Sequence, residues 1–196
     1  MPAKKRRVKA LEASMIDAYI QDLDCNYLKT DDVFRTTEPP EIGDTVHSVQ
    51  MRESDGEVAF FQQLTKSIQP FSLRETGNSV WALGEKQWVN KQDYVRNHDV
   101  KDPGNTIAVT FVETKVLTAG ITVPLLQRFI ARRFDGENSI VHTWKFITEA
   151  KGVFDGMQMD ETGWCRFLPS LDDSQPGTTV EMCIRRVPVY FRACGT

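Results

Sequence analysis

At 196 residues, with 40% hydrophobic and 26% charged side chains, the chain is long enough for one sizeable core and calls for neither a disulfide nor a metal to hold it. A net charge of −3 excludes a disordered acidic tail and a basic nucleic-acid coat. The longest apolar stretches, Ile121 to Leu126 and Val187 to Phe191, are far shorter than a membrane span, and nothing near Met1 has the form of a signal peptide.

The charge is unevenly placed. Lys4, Lys5, Arg6, Arg7 and Lys9 are five of the 24 basic residues, which leaves 19 basic against 27 acidic groups beyond them, a net of −8. This basic tip fits a nuclear localisation patch, point charges on an extended chain read by an acidic groove of an import receptor; a plain solvated tip is the competing reading. Nucleic-acid binding is not expected, because five charges release few counterions and no base-reading element follows.

From Ala10 to Phe34 the apolar residues Ile16, Ile20, Leu23, Tyr27 and Phe34 recur at helical spacing, which predicts an amphipathic helix with one apolar stripe. Asp31 and Asp32 crowd its last turn, against the macrodipole, so the helix is expected to fray before Thr30. Pro39, Pro40 and Gly43 mark the following segment as a linker.

Two extended runs, Val46 to Arg52 and Glu57 to Gln69, flank Glu53-Ser54-Asp55-Gly56, and the Asp-Gly pair predicts an antiparallel hairpin. Pro70 ends the second run. Ser72 with Glu75 has capping-box spacing and opens a helix to about Asn90, with Leu73, Gly77, Val80, Trp81, Gly84 and Trp88 on its inner face.

Five strands are then predicted: Thr106 to Leu117, Thr122 to Phe134, Asn138 to Ile147, Thr162 to Leu168 and Thr178 to Phe191. Short connections with turn chemistry favour an antiparallel meander over βαβ crossovers. Alternation puts Ile140, His142, Trp144 and Phe146 on one face, the expected interior, together with Ile107, Val109, Phe111, Leu126, Ile130, Val180, Met182 and Ile184. Arg128, Arg132 and Arg186 would then share that interior. Guanidinium groups are seldom buried without partners, so either the strand phase differs or the interior is partly wet.

The order of helix, linker, hairpin, long helix and five-strand meander resembles a START-like domain, the helix-grip fold, and more closely the START-like proteins of oomycetes. The stretches that carry the resemblance are Gln69-Pro70-Phe71, Asn78-Ser79-Val80-Trp81, Asp102-Pro103-Gly104-Asn105-Thr106-Ile107-Ala108-Val109, Ala131-Arg132-Arg133-Phe134, His142-Thr143-Trp144, Gly156-Met157 and Asp160-Glu161-Thr162-Gly163-Trp164-Cys165. The expected fold is therefore α+β, a curved antiparallel sheet wrapped on a long helix. A basic tip and amphipathic helix (1–35), a linker (36–45) and the START-like domain (46–196) make up the chain. Helix-grip domains end in a long helix that closes the cavity, and no such helix is evident after the last strand. The chain is then a fragment, or another helix covers the opening, or the cavity is a groove.

The resemblance implies non-catalytic binding of a lipid or other hydrophobic small molecule. The positions expected at the ligand are Trp81, Trp88, Phe111, Leu126, Arg128, His142, Trp144, Phe146, Trp164 and Met182, with Arg128 or His142 orienting a head group. A rival reading is a ligand-free interaction or regulatory module, in which residues 15–34 pair with a partner helix or with a second copy. Catalysis is not expected. The adjacent acidic pairs Asp31-Asp32, Asp160-Glu161 and Asp172-Asp173 point apart, and Cys165 and Cys183 have no local base. No cofactor or metal is expected: the four cysteines lack a C-x-x-C pair and His47, His98 and His142 are far apart. Idle thiols suggest a reduced, intracellular compartment, cytoplasm or nucleus.

Overall fold

The structure, a computed structural model, describes residues 2–35, 40–51, 58–87, 95–117, 120–171 and 176–190. Its helices are α1 (Pro2–Leu28), α2 (Thr30–Arg35) and α3 (Leu73–Lys86). Its strands are β1 (Thr45–Met51), β2 (Val58–Gln69), β3 (Val95–Asn97), β4 (Thr106–Val116), β5 (Thr122–Asp135), β6 (Ile140–Ala150), β7 (Met157–Pro169) and β8 (Thr178–Tyr190). The predicted turn at Glu53 to Gly56, the helix beyond Gln87 with Trp88, and the turn at Asp172 to Gln175 lie outside the described residues.

All eight strands form one curved antiparallel sheet in the order β1-β2-β8-β7-β6-β5-β4-β3. β4 to β8 are the expected meander. The hairpin of β1 and β2 joins the far side of β8, from Phe61 opposite Arg186 to Gln69 opposite Thr178, and β3 extends the other edge beside β4.

Both faces of the sheet are covered. Against one lies α3, whose Trp81 packs with Ile107, Val109, Phe111 and Ala131, flanked by Phe129, Trp144 and Phe146. Against the other lies α1, which buries Ile16 and Leu23 at 2% and 0% exposure in a cluster with Ala108, Ile130 and Ile147. α2 continues that layer, with Val33 against Leu64, Trp164 and Cys183. The result is helix, sheet, helix, with each strand contributing alternate residues to two cores.

This second cover corrects the expected phase of β5. Ala131 stands opposite Trp144 and Phe129 opposite Phe146, so Phe129 and Ala131 face α3, whereas Leu126, Arg128, Ile130 and Arg132 face α1. Apolar residues occur in both phases of this strand because both of its faces are packed, and alternation then carries no sign. The arginine difficulty resolves with it for two of the three: Arg128 pairs with Glu149, and Arg132 pairs with Asp24 of α1 and with Asp102, whereas Arg186 stays on the α3 face, paired with Glu161.

At the N-terminus the first helix ends at Leu28, before Thr30 as expected, and two expectations are corrected. Asp31 and Asp32 do not crowd its last turn; they open the separate α2, where a carboxylate suits the positive end of the helix. The apolar stripe of residues 15–34 is occupied by this chain's own sheet, with Trp164 Nε1 donating to the Asn26 carbonyl at 3.0 Å and the Tyr27 ring stacked on Phe134 at 4.1 Å. It is not a free surface for a partner helix. Among the described residues no helix is long and apolar enough to cross a membrane.

Candidate functional site

The site lies between α3 and the sheet, and local sequence explains how the helix is seated. Ser72 and Glu75 form the predicted capping box: Ser72 Oγ accepts from the Glu75 amide, and the Ser72 amide donates to Glu75 Oε2 at 3.0 Å. The Ser72 donors stabilise the charged Glu75 carboxylate and lower its pKa. One turn on, Gly77 allows close approach to the sheet, since a Cβ there would lie 2.7 Å from Ile140 Cδ1. Leu73 packs beside Ile140, Cys165 and Phe167, so the first half of α3 is in direct contact with β6 and β7.

Around the second half of α3 the packing opens into a cleft of about 470 Å³. Val80, Trp81, Leu83, Gly84 and Gln87 form its helical wall. Its floor is drawn from five strands: Ile107 on β4, Phe129 and Ala131 on β5, His142 and Trp144 on β6, Cys165 on β7 and Met182 on β8. The volume falls within the roughly 300–1,000 Å³ of small-molecule sites, and the lining is predominantly apolar, as such sites are.

Trp144 is held by two features. Gly163 lies opposite it on β7, and a Cβ there would come within 2.0 Å of the indole, so the bare backbone makes room for the ring. Its Nε1 donates to Glu161 Oε1 at 2.9 Å, and Glu161 Oε2 accepts from Arg186 Nε at 2.8 Å. Trp81 differs. It is 7% exposed and its Nε1 is buried with no partner among the described residues; the same is true of Nε2 of His142, 5% exposed.

Burial pushes the His142 imidazole down to about 3, with the Arg133 guanidinium adding to the effect, so the ring is neutral near pH 7. Burial pushes the Cys165 thiol up to about 12 and Cys183 up to about 11. A neutral imidazole and protonated thiols supply hydrogen bonding and apolar contact. Among the described residues no group of three or more His, Cys, Asp or Glu side chains is placed to hold a metal ion.

Of the positions expected at a ligand, Trp81, His142, Trp144 and Met182 line the cleft. Phe111 and Phe146 lie on the same face in the adjoining core, their rings 6.2 Å apart. Leu126, Arg128 and Trp164 are corrections: they belong to the α1 face, Leu126 and Arg128 through the phase of β5 and Trp164 through its bond to Asn26. The side chains of Lys4, Lys5, Arg6, Arg7 and Lys9 lie outside the described residues. Phe129, Ala131, Leu83 and Gln87 were not expected. The first two become legible once Arg128 and Arg132 are assigned to the other face; the helix residues flank Gly84 at the wall.

A second hollow, of about 570 Å³, lies on the α1 side of the sheet between Ile42, Ile68, Leu168 and Leu171 and is crossed by Lys66 and Glu181. These two are paired at 3.8 Å, and no buried unpartnered polar atom among the described residues lines it. The cleft under α3 is therefore the better site. No protein-family profile matches the chain, and no curated protein matches it.

Proposed function

We propose that the protein binds a lipid or other hydrophobic small molecule non-covalently in the cleft between α3 and the sheet, as a START-like, helix-grip domain would. One observation carries the reading. An apolar hollow of about 470 Å³ is walled in part by Trp81 and His142, whose Nε1 and Nε2 are buried polar atoms that no described residue satisfies. Native interiors are close-packed and pair their buried polar groups, so both departures at one place support a ligand site. α3 supplies the roof over a curved antiparallel sheet. Organic extraction of the purified protein followed by mass spectrometry tests this: a co-extracted apolar molecule near one per chain is expected, and solvent-clean protein with no thermal shift across a lipid panel contradicts it.

A ligand-free interaction module is supported by a different feature. β1 is an edge strand, exposed along its length, and Thr45–Met51 holds no Lys, Arg, Asp or Glu to discourage edge pairing. Mass in solution separates the readings, since edge pairing gives a concentration-dependent dimer. The basic cluster Lys4 to Lys9 is read as a nuclear address, and a reporter fused to Met1 to Ala10 that stays diffuse would remove it.

A further inference from the structure

Among the described residues, the lining of the cleft carries no Lys, Arg, Asp or Glu. Two charged groups on the sheet beside it are already engaged. Arg133, across the strand pair from His142, donates through Nε to Asp135 at 2.7 Å and through a terminal nitrogen to Asn78 at 2.7 Å. Glu161 accepts from both Trp144 and Arg186. An anion seated in the cleft would lose its hydration and find, among the described lining residues, no charged side chain to pair with directly, a cost that a neutral polar group escapes.

We propose that the cleft selects uncharged amphiphiles, an apolar body bearing one hydroxyl or carbonyl oxygen, and discriminates against carboxylates and phosphates. The inference rests on the ligand-binding reading above and adds the chemical class. The oxygen sits at the junction of Trp81 and His142, whose rings meet edge to face with centroids 5.2 Å apart; since Nε1 and Nε2 are both buried, its binding turns the two rings to expose them. Indole N–H is a donor only and requires an acceptor; neutral imidazole offers Nε2 as acceptor or donor according to its tautomer. A hydroxyl serves both partners at once, accepting from Trp81 and donating to His142. A carbonyl serves Trp81 alone, or both when His142 carries its proton on Nε2.

Calorimetric titration of the full chain with dodecan-1-ol and with dodecanoate at pH 7, below their aggregation limits, tests the class. The alcohol is expected to bind at least tenfold more tightly, about 1.4 kcal/mol. Equal or tighter binding of dodecanoate overturns charge selection while leaving the ligand site standing, and binding of neither overturns both readings. Leu83→Lys places a cation at the mouth of the cleft, at a position 68% exposed where the fold has little at stake. It is expected to narrow the gap by tightening dodecanoate, and an unchanged gap overturns the argument from missing counter-charge.

Discussion

The Trp81 indole, on a helix, and the His142 imidazole, on a strand, meet edge to face at 5.2 Å with their planes at 65°. This contact joins α3 to the middle of the sheet and leaves Trp81 Nε1 and His142 Nε2 without described partners. Each such buried atom costs about 1–3 kcal/mol. Phenylalanine at position 81 and an apolar residue at 142 would avoid that cost, which is why the pair is where the proposed ligand would make its polar contact.

Trp81→Phe separates the two roles. It keeps an aromatic ring against Ile107 and Ala131 and deletes a donor that no described residue uses; the relieved cost of the unpaired donor is offset by the packing lost with the smaller ring, so unfolding free energy is expected to change by less than ~1 kcal/mol. Affinity for dodecan-1-ol is expected to fall by about 2- to 10-fold, one hydrogen bond's worth. Urea denaturation and calorimetry on one preparation check both. Lost stability with unchanged affinity would make Trp81 a core residue only.

His142 also sets a pH dependence. Its pKa is about 3 in the folded chain against an ordinary 6.5, so between these values the unfolded state binds the extra proton and the folded state does not. Stability from the neutral ring is fully present above pH 6.5 and is lost as pH falls toward 3. Between pH 6.5 and 4.5 the loss is on the order of 3 kcal/mol. Denaturation at pH 7 and 4.5 is expected to show the wild type losing that much more than His142→Gln. Equal losses would mean that the ring is not held neutral.

What was legible in the sequence follows from how many faces each element buries. Ser72 and Glu75 announced the start of α3, Asp102-Pro103-Gly104-Asn105 the turn before β4, and the alternation Ile140, His142, Trp144, Phe146 the face of β6 that looks at α3. β5 was not legible in the same way, because Phe129 and Ile130 point to different cores and are both apolar. Arg128 and Arg132 held the missing information, since their partners Glu149 and Asp24 lie on the α1 side. Trp164 could not be assigned without knowing that α1 brings the Asn26 carbonyl to its indole. The end of α1 before Thr30 was legible because Asp31 and Asp32 are unfavourable at a helix end; that they open a second helix was not, because spacing alone does not show it.

Gly163→Ala tests the support behind Trp144. The new methyl would overlap the indole at 2.0 Å, so overpacking is expected to cost about 3 kcal/mol, the upper end for such changes. Combining it with Trp144→Leu should recover part of that loss. Full tolerance of the single change would show that Trp144 does not lie over Gly163.

Leu23→Ala tests the second layer. Leu23 is fully buried between α1 and the sheet, and truncation is expected to cost about 2–5 kcal/mol in urea denaturation. A cost below ~1 kcal/mol would mean that α1 is not docked on Ile130 and Ile147 and is available to another partner.

Gly84 offers the most direct test of the cleft itself. A Cβ there would make only ordinary contact, 3.6 Å from Ile107 Cδ1, and replacing a helix-interior glycine by phenylalanine removes part of glycine's intrinsic penalty of about 1 kcal/mol relative to alanine. Gly84→Phe should therefore fill the hollow without weakening the fold. Calorimetric titration with dodecan-1-ol is expected to show near one-to-one binding with a negative heat-capacity change in the wild type, and none in Gly84→Phe at an undiminished melting temperature. Equal binding by both proteins would contradict a ligand site under α3.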